Sequence, residues 1–240
     1  MSRFLSHLHS SLRDLIPTRR GAGPLGIADE IGMHKEYPRF PRIALPPARP
    51  LSMHLDDALQ TRASFTTIPD DDGFTQEEIG TLLGHALGMR GKLRTYPSGG
   101  ARYPVETYLL GTVLKGEPHN AYHYHPTCHA LEFLWSSPPV ATLMRPSIQL
   151  PSQTLILFTA VWDRTSLKYG DWSYGHFLLE AGHMAQNILL AATALGIRAR
   201  PILGFADDAI VQALDLNQRE QPIYSVLLAR GAAIGPAHYE

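Results

Sequence analysis

Apolar and polar positions follow two rhythms along this chain, and the rhythm divides it into elements. Over TQEEIGTLLGHALG, residues 75–88, Ile79, Leu82, Leu83, Ala86 and Leu87 recur every three or four residues and make one helix face. Thr75 precedes that face and Glu78 follows it by three, which is a capping box; Gly88 ends the pattern. LDDALQTRAS, 55–64, reads as a shorter helix ahead of it. The longest helical pattern runs from Gly175 to Leu195, where Leu178, Ala181, Ala185, Ile188, Leu189 and Ala192 repeat at three and four before Gly196. Its alanines predict the close approach of another helix. A further short helix is expected at DDAIVQALDL, 207–216.

Between these helices the spacing changes. VETYLLGTV (105–113), AYHYH (121–125), ALEFLW (130–135), TLILFTAVW (154–162) and PIYSVLLAR (222–230) are dense in apolar, aromatic and β-branched residues and read as strands. Helices come first, then a meander, then a mixture. That order predicts an α+β domain over 51–240, with no internal repeat. Residues 1–50 read as an N-terminal arm followed by an extended connector, since 17–50 are rich in Pro, Gly and Arg.

Composition narrows the function classes. The chain of 240 residues has 21 basic and 22 acidic residues and a net charge of −1, so no overall field draws it to nucleic acid or to an anionic membrane. One cysteine, Cys128, excludes an internal disulfide framework and predicts a reducing, cytoplasmic setting. No apolar run reaches the roughly 18 residues of a membrane span. MSRFLSHLHSSLRDLIPTRR carries four arginines and one aspartate. This composition also suits a transit peptide, but nothing else points to an organelle and an arm packed on the surface is expected.

The candidate chemistry is sparse. AYHYHPTCHALEF gathers His123, His125, Cys128 and His129, but a tetrahedral metal site needs ligands from converging elements. No second Cys or His cluster matches, so a solvated hairpin and no metal are expected. Glu180 and His183 have the Glu-x-x-His spacing of di-iron helices, without the second copy such sites use. YPSGGARYPVE, 96–106, has no lysine and no following helix, so it is not a phosphate loop of the Walker type. Gly99 and Gly100 lack Cβ and let backbone approach a flat ligand, and Pro97 and Pro104 stiffen the ends.

The loop is one of a series. TRAS at 61–64 precedes it; KYG at 168–170, AGHMAQNILLAATALGI, PILGF at 201–205 and VLLARG at 226–231 follow. In this order and spacing the set resembles the FMN-dependent nitroreductase superfamily, and within it the SagB/ThcOx-type dehydrogenases, the azoline oxidases of peptide natural-product pathways. HKEYPRFPRIALP at 34–46 resembles the family's lead-in. The resemblance implies a nitroreductase-like fold: a central, mostly antiparallel sheet flanked by helices, in an intertwined homodimer with FMN at the interface.

Position by position, the resemblance places Arg62, Ser64 and Arg230 at the FMN phosphate and ribityl chain. It sets Pro97, Ser98 and Gly99 against the isoalloxazine, Leu203 and Gly204 at its N5–O4 edge, and Lys168 with Tyr169 as the catalytic pair. It implies that a side chain at Gly99 crowds the flavin. Thr66 departs from the pattern, standing where relatives often carry a second basic residue. The reaction implied is dehydrogenation of a thiazoline or oxazoline to an azole, on a peptide or small-molecule substrate, with a cyclodehydratase complex as partner. Other flavin chemistry on the same scaffold stays open: oxidation of a cyclic dipeptide, or nitro or quinone reduction with NAD(P)H. So does a non-catalytic scaffold.

Overall fold

The structure is a computed structural model that describes residues 34–65, 72–148 and 154–230. The N-terminal arm and Thr66 lie outside the described residues. In chain order the elements are β1 (Arg42–Ala44), α1 (Leu55–Thr61), α2 (Gln76–Leu87), the short pair β2 (Met89–Arg90) and β3 (Leu93–Arg94), and β4 (Val105–Gly111). Then come β5 (Asn120–His125), β6 (Ala130–Ser136), β7 (Thr154–Val161), α3 (Asp163–Tyr169), α4 (Ser173–Ala194), β8 (Arg198–Ile202), α5 (Asp207–Leu214) and β9 (Glu220–Ala229). Seven strands form one sheet in the order β1-β6-β5-β4-β7-β9-β8, each pair antiparallel.

The helix rhythm of 76–87 is realised together with its cap. The Thr75 hydroxyl accepts from the Glu78 N–H at 3.1 Å, and the Glu78 carboxylate accepts from the Thr75 N–H at 2.8 Å. The strand rhythm sorts side chains between two cores. Val105 and Leu109 of β4 turn to the face covered by α2 and α4, with Phe177, Met184 and Ile188. Tyr108 and Leu110 turn to the other face, packed by α5 and the segment 140–144.

Two expectations change and a third is met within the chain. Residues 42–44 do not stay in the connector: Arg42, Ile43 and Ala44 pair with Glu132, Leu131 and Ala130 and make β1 the edge strand. The helix that the alanines of α4 admit is this chain's own α2, and Ala181, Ala185 and Ala192 are buried in the core beside it. The β5–β6 hairpin is not solvated at its histidines. His123 is fully buried between two carboxylates, with Nδ1 2.8 Å from Glu132 Oε2 and Nε2 3.0 Å from Glu106 Oε2. Glu132 comes from the hairpin's own β6, but nothing in the hairpin's spacing reveals that the neighbouring β4 supplies Glu106.

Topology sets where loops gather. Val105 of β4 pairs with Ala160 of β7, Glu220 of β9 pairs with Val161, and Ile202 of β8 pairs with Ser225. The start of β4 and the ends of β7 and β8 therefore emerge at one end of the sheet. The loop 96–104, the Lys168–Tyr169 helix and the Leu203–Gly204 turn all leave from that end.

Candidate active site

The 96–104 loop is held in a costly conformation. Gly100, Ala101 and Tyr103 have φ of 65°, 53° and 46°. For residues with a Cβ each such torsion costs on the order of 1–3 kcal/mol, and it persists only where the surroundings fix it. Here they do. The Tyr103 N–H donates to Ser98 Oγ at 2.8 Å, the Arg94 N–H donates to Tyr103 Oη at 3.1 Å, and Arg164 Nη1 donates to the Tyr103 carbonyl at 3.1 Å. Strain concentrated in one loop at the loop-bearing end of the sheet marks this end as the candidate site.

The two glycines of the loop face side chains from α3 and α4. A Cβ at Gly100 would lie 2.8 Å from Tyr169 Oη and 3.1 Å from Lys168 Nζ. A Cβ at Gly99 would overlap His176 Nδ1. Tyr169 stacks on His176 with ring centroids 4.5 Å apart, and Lys168 Nζ sits 5.1 Å from the Tyr169 ring centroid. Gly99 and Gly100 thus form one cluster with His176, Lys168 and Tyr169, far away in sequence, and Pro97 and Ser98 lead into it. His176 belongs to it although no motif names it. Its signal is its place on α4, one turn before Glu180 and on the same side.

Gly99→Ala has a defined first effect: the methyl group meets His176, and the ring must leave its stack on Tyr169. Displacing a group by about 1 Å in a catalytic site costs up to ~10²-fold in rate, so a loss of roughly 10- to 100-fold in turnover is expected. Turnover of Gly99→Ala/His176→Ala, compared with that of each single variant, checks this; recovery shows that His176 was the obstacle. Turnover no better than in the single variants assigns the crowding to another group.

Beneath the loop lies Glu180, 2% exposed, whose Oε1 accepts from the Val105 N–H at 3.4 Å and whose Oε2 has no partner. Arg164 Nε, Thr165 Oγ1 and Ser173 Oγ are also buried without partners, and all four groups belong to α3 and α4. Buried polar atoms are nearly always paired, so such a cluster needs a reason. Burial pushes the Glu180 carboxyl up to about 7, against the Ser98 hydrogen bond and the positive charge of Arg94. A folded value above the unfolded 4.5 means that stability present at low pH is lost as pH rises towards and through about 7. Glu180→Gln is therefore expected to stabilise the chain at pH 8 by on the order of 2–3 kcal/mol and leave it unchanged at pH 4, as read from denaturant midpoints at both pH values.

The remaining candidates are spread along the sheet. Leu203 is 63% exposed at the end of β8, and the Gly204 carbonyl accepts from the Arg145 N–H at 2.7 Å. A Cβ at Gly204 would strike the Ile148 side chain at 2.5 Å. Arg62 and Ser64 follow α1 and are partly buried; Arg200 Nη1 donates to the Phe65 carbonyl at 2.9 Å and ties this segment to β8. Arg230 lies at the end of β9, at the other end of the sheet. Its Nη1 and Nη2 hold Glu78 at 3.2 and 2.8 Å, and its Nε donates to the Gly73 carbonyl at 2.6 Å. A phosphate there would share this cation with a carboxylate. Asn187 donates to the carbonyls of Ala86 and Thr95, a bracing role, while Gln186 and His183 are exposed.

Residues 69–230 match the model of the nitroreductase family. The chain belongs to the nitroreductase family. It is 30% identical over 151 residues to MJ1384 of Methanocaldococcus jannaschii, provisionally named a nitroreductase, covering 60% of this chain and 76% of that protein. It is 32% identical over 141 residues to the microcin B17-processing protein McbC of Escherichia coli, covering 52% of this chain and 50% of McbC. The chain thus spans about half the length of McbC. A chain in the structure of the E. coli microcin synthetase McbBCD complex with truncated pro-MccB17 bound shares the fold, with a TM-score of 0.62 at 21% identity, over 94% of this chain and 92% of that one. The expected α+β, nitroreductase-like fold with its antiparallel sheet flanked by helices is the one observed, in an oxidoreductase family.

Proposed function

We propose that this nitroreductase-family chain is an FMN-dependent dehydrogenase that converts azoline rings to azoles. The observation that carries the reading is the convergence of Lys168 Nζ and Tyr169 Oη on the point where Gly100 lacks a Cβ. The glycine lets the ammonium and the phenol pack together against the loop, so a flat five-membered ring lying beside them meets both. The likeness to McbC, a microcin-processing protein, supports a peptide substrate. The occurrence of the same fold in the McbBCD synthetase complex fits a cyclodehydratase as partner.

The donor set suits a flavin mononucleotide. Arg62 and Ser64 offer a planar fork and a hydroxyl to a phosphate; Arg230, beyond the far end of β9, would have to release Glu78 to join them. Gly99, Gly204 and the exposed Leu203 turn leave backbone open to a ring edge. FMN bound there supplies the two-electron acceptor for a hydride. This chain's own part is the proton. The azoline loses a hydride from one ring carbon and a proton from its neighbour, and Tyr169, acting as phenolate with Lys168 Nζ 5.1 Å from its ring centroid, takes the proton. The fixed 96–104 loop holds the phenol and the ammonium in place beside the ring.

Leu55 and Leu59 of α1 and Leu178 and Leu179 of α4 are exposed, Leu179 by 66%. Two packed helices with such a face support a homodimer. The test of function is direct. The FMN-loaded protein, given an azoline-bearing peptide in air, should yield product lighter by two hydrogens per ring. No azole, together with rapid NADPH-driven reduction of a nitroaromatic, would replace this reading with the reductase one, which the likeness to MJ1384 favours.

A further inference from the structure

His123, Glu106 and Glu132 are satisfied by one another, but the next histidine along β5 meets a different set. His125 projects from the same face as His123, two residues on. There it meets the lead-in segment, where alternate residues of an extended chain share a side: His34 and Glu36 turn to His125, while Lys35 turns inward. His34 Nε2 is 3.0 Å from Glu36 Oε1, and His125 Nε2 is 3.7 Å from the same oxygen. The candidate ligand atoms of these three residues all lie within 4.8 Å of one another. The turn at Pro126 and Thr127 brings Cys128 back over the strand, with Sγ 3.7 Å from His125 Nε2.

We propose that His34, Glu36, His125 and Cys128 form a zinc site that staples the lead-in segment to the β5–β6 hairpin. A tetrahedron with bonds of ~2.0 Å to N and O and ~2.3 Å to S has edges of roughly 3.3–3.6 Å; the 3.0 and 3.7 Å separations of Glu36 from His34 and His125 bracket that range, and Cys128 Sγ, 3.7 Å from His125 Nε2 at the edge of the trio, turns in as the fourth ligand. Two imidazoles, a carboxylate and a thiolate are a borderline-soft set that suits Zn²⁺ over Mg²⁺ or Ca²⁺. The ligands come from two segments far apart in sequence, the convergence that hairpin residues alone lacked. The His125 side chain is 3% exposed and backs the site, whereas Glu36 at 54% and the exposed Cys128 leave the ion a way in.

The proton balance is simple. Cys128 releases its thiol proton to solvent, and each imidazole binds through Nε2 with its proton on Nδ1. His125 then gives up the long 3.3 Å contact from the Cys128 N–H to Nδ1, a small loss beside a metal bond. The gain falls on Lys35, fixed between two ligands. Its Nζ is 2.7 Å from the buried Glu220 and its N–H is 2.5 Å from Glu106, so the ion pins the cover of the buried polar row.

The experiment uses the full chain, reduced and stripped with a chelator, titrated with Co²⁺ and then Zn²⁺. One Co²⁺ per chain is expected, with thiolate-to-cobalt charge transfer in the near ultraviolet and tetrahedral d–d bands, both erased by Zn²⁺, which also raises the melting temperature. Cys128→Ser should abolish the charge-transfer band, and His34→Ala should weaken Co²⁺ binding at least tenfold. Both residues lie at the accessible side of the site, and flavin absorbance of both variants should match the wild type. No stoichiometric uptake, uptake without the charge-transfer band, or uptake that His34→Ala leaves unchanged overturns the proposal.

Discussion

Lys168→Ala and Tyr169→Phe are each expected to slow azoline oxidation by on the order of 10²- to 10⁴-fold, the usual contribution of a positioned proton-transfer group, while FMN occupancy holds. Both groups end α3, and Gly170 with φ of 56° stops that helix so that its last turn faces the loop. The phenol is oriented twice, by its stack on His176 and by the nearby Lys168 ammonium. Removing the hydroxyl keeps the ring and the stack, so Tyr169→Phe isolates the proton step. The loss should fall on kcat with little change in KM. Wild-type rates in both variants would remove the pair from the mechanism while leaving the flavin site standing. Wild-type FMN content with no turnover of any azoline by the parent chain would instead put the substrate class in error.

Much of the fold is legible in the amino-acid order, for physical reasons. The helices of 76–87 and 173–194 announce themselves because a helix buries one face and its ends need caps, and Thr75, Glu78, Gly88 and Gly196 stand where those needs arise. The strands at 105–111 and 154–161 show as dense apolar runs because the sheet is covered on both faces. The nucleotide-end candidates and the Lys168–Tyr169 pair follow from motif order, and the fold brings the second of these onto the glycine loop. What does not show is every relation that depends on strand order. Glu106, His123 and Glu132 sit on three consecutive strands, yet nothing in their local spacing says that their side chains meet. His176 is an ordinary helix residue until the loop lies on it. Arg230 has the spacing of a phosphate ligand but also of a partner for Glu78, and only the folded arrangement shows the second. The lead-in at 34–36 looks like connector because its buried contacts reach strands far along the chain.

Those long-range contacts carry the largest stability effect expected in the molecule. Across the sheet, opposite α4, runs a row of charge, buried except at its Arg42 end: Arg164 Nη2 is 2.5 Å from Glu106 Oε1, His123 bridges Glu106 and Glu132, and the exposed Arg42 has Nη2 2.7 Å from Glu132 Oε1. Only an imidazolium can donate to carboxylates on both sides, so His123 is the central cation. Removing one member leaves the others buried and uncompensated, at about 3–5 kcal/mol. Glu106→Gln and His123→Ala should each lower the melting temperature by roughly 6–20 °C for a chain of this size. The double variant should cost less than the sum, because each single change strands a charge that the other removes. Against its burial, the two carboxylate hydrogen bonds raise the His123 pKa above 6.5, so its stabilisation is full below 6.5 and fades as pH rises through the raised value. Against their burial, Arg164 and His123 hold Glu106, and His123 and Arg42 hold Glu132, below the usual 4.5; their stabilisation is present above 4.5 and is lost on acidification. The row is thus fully effective between about pH 4.5 and 6.5, and Glu180 erodes stability on the same alkaline side. A melting profile that peaks in this mildly acidic window, and flattens above it in His123→Ala, is the expected result. A wild-type maximum at about pH 8 would mean that His123 is neutral in the folded chain and that the row is held by Arg164 and Arg42 alone.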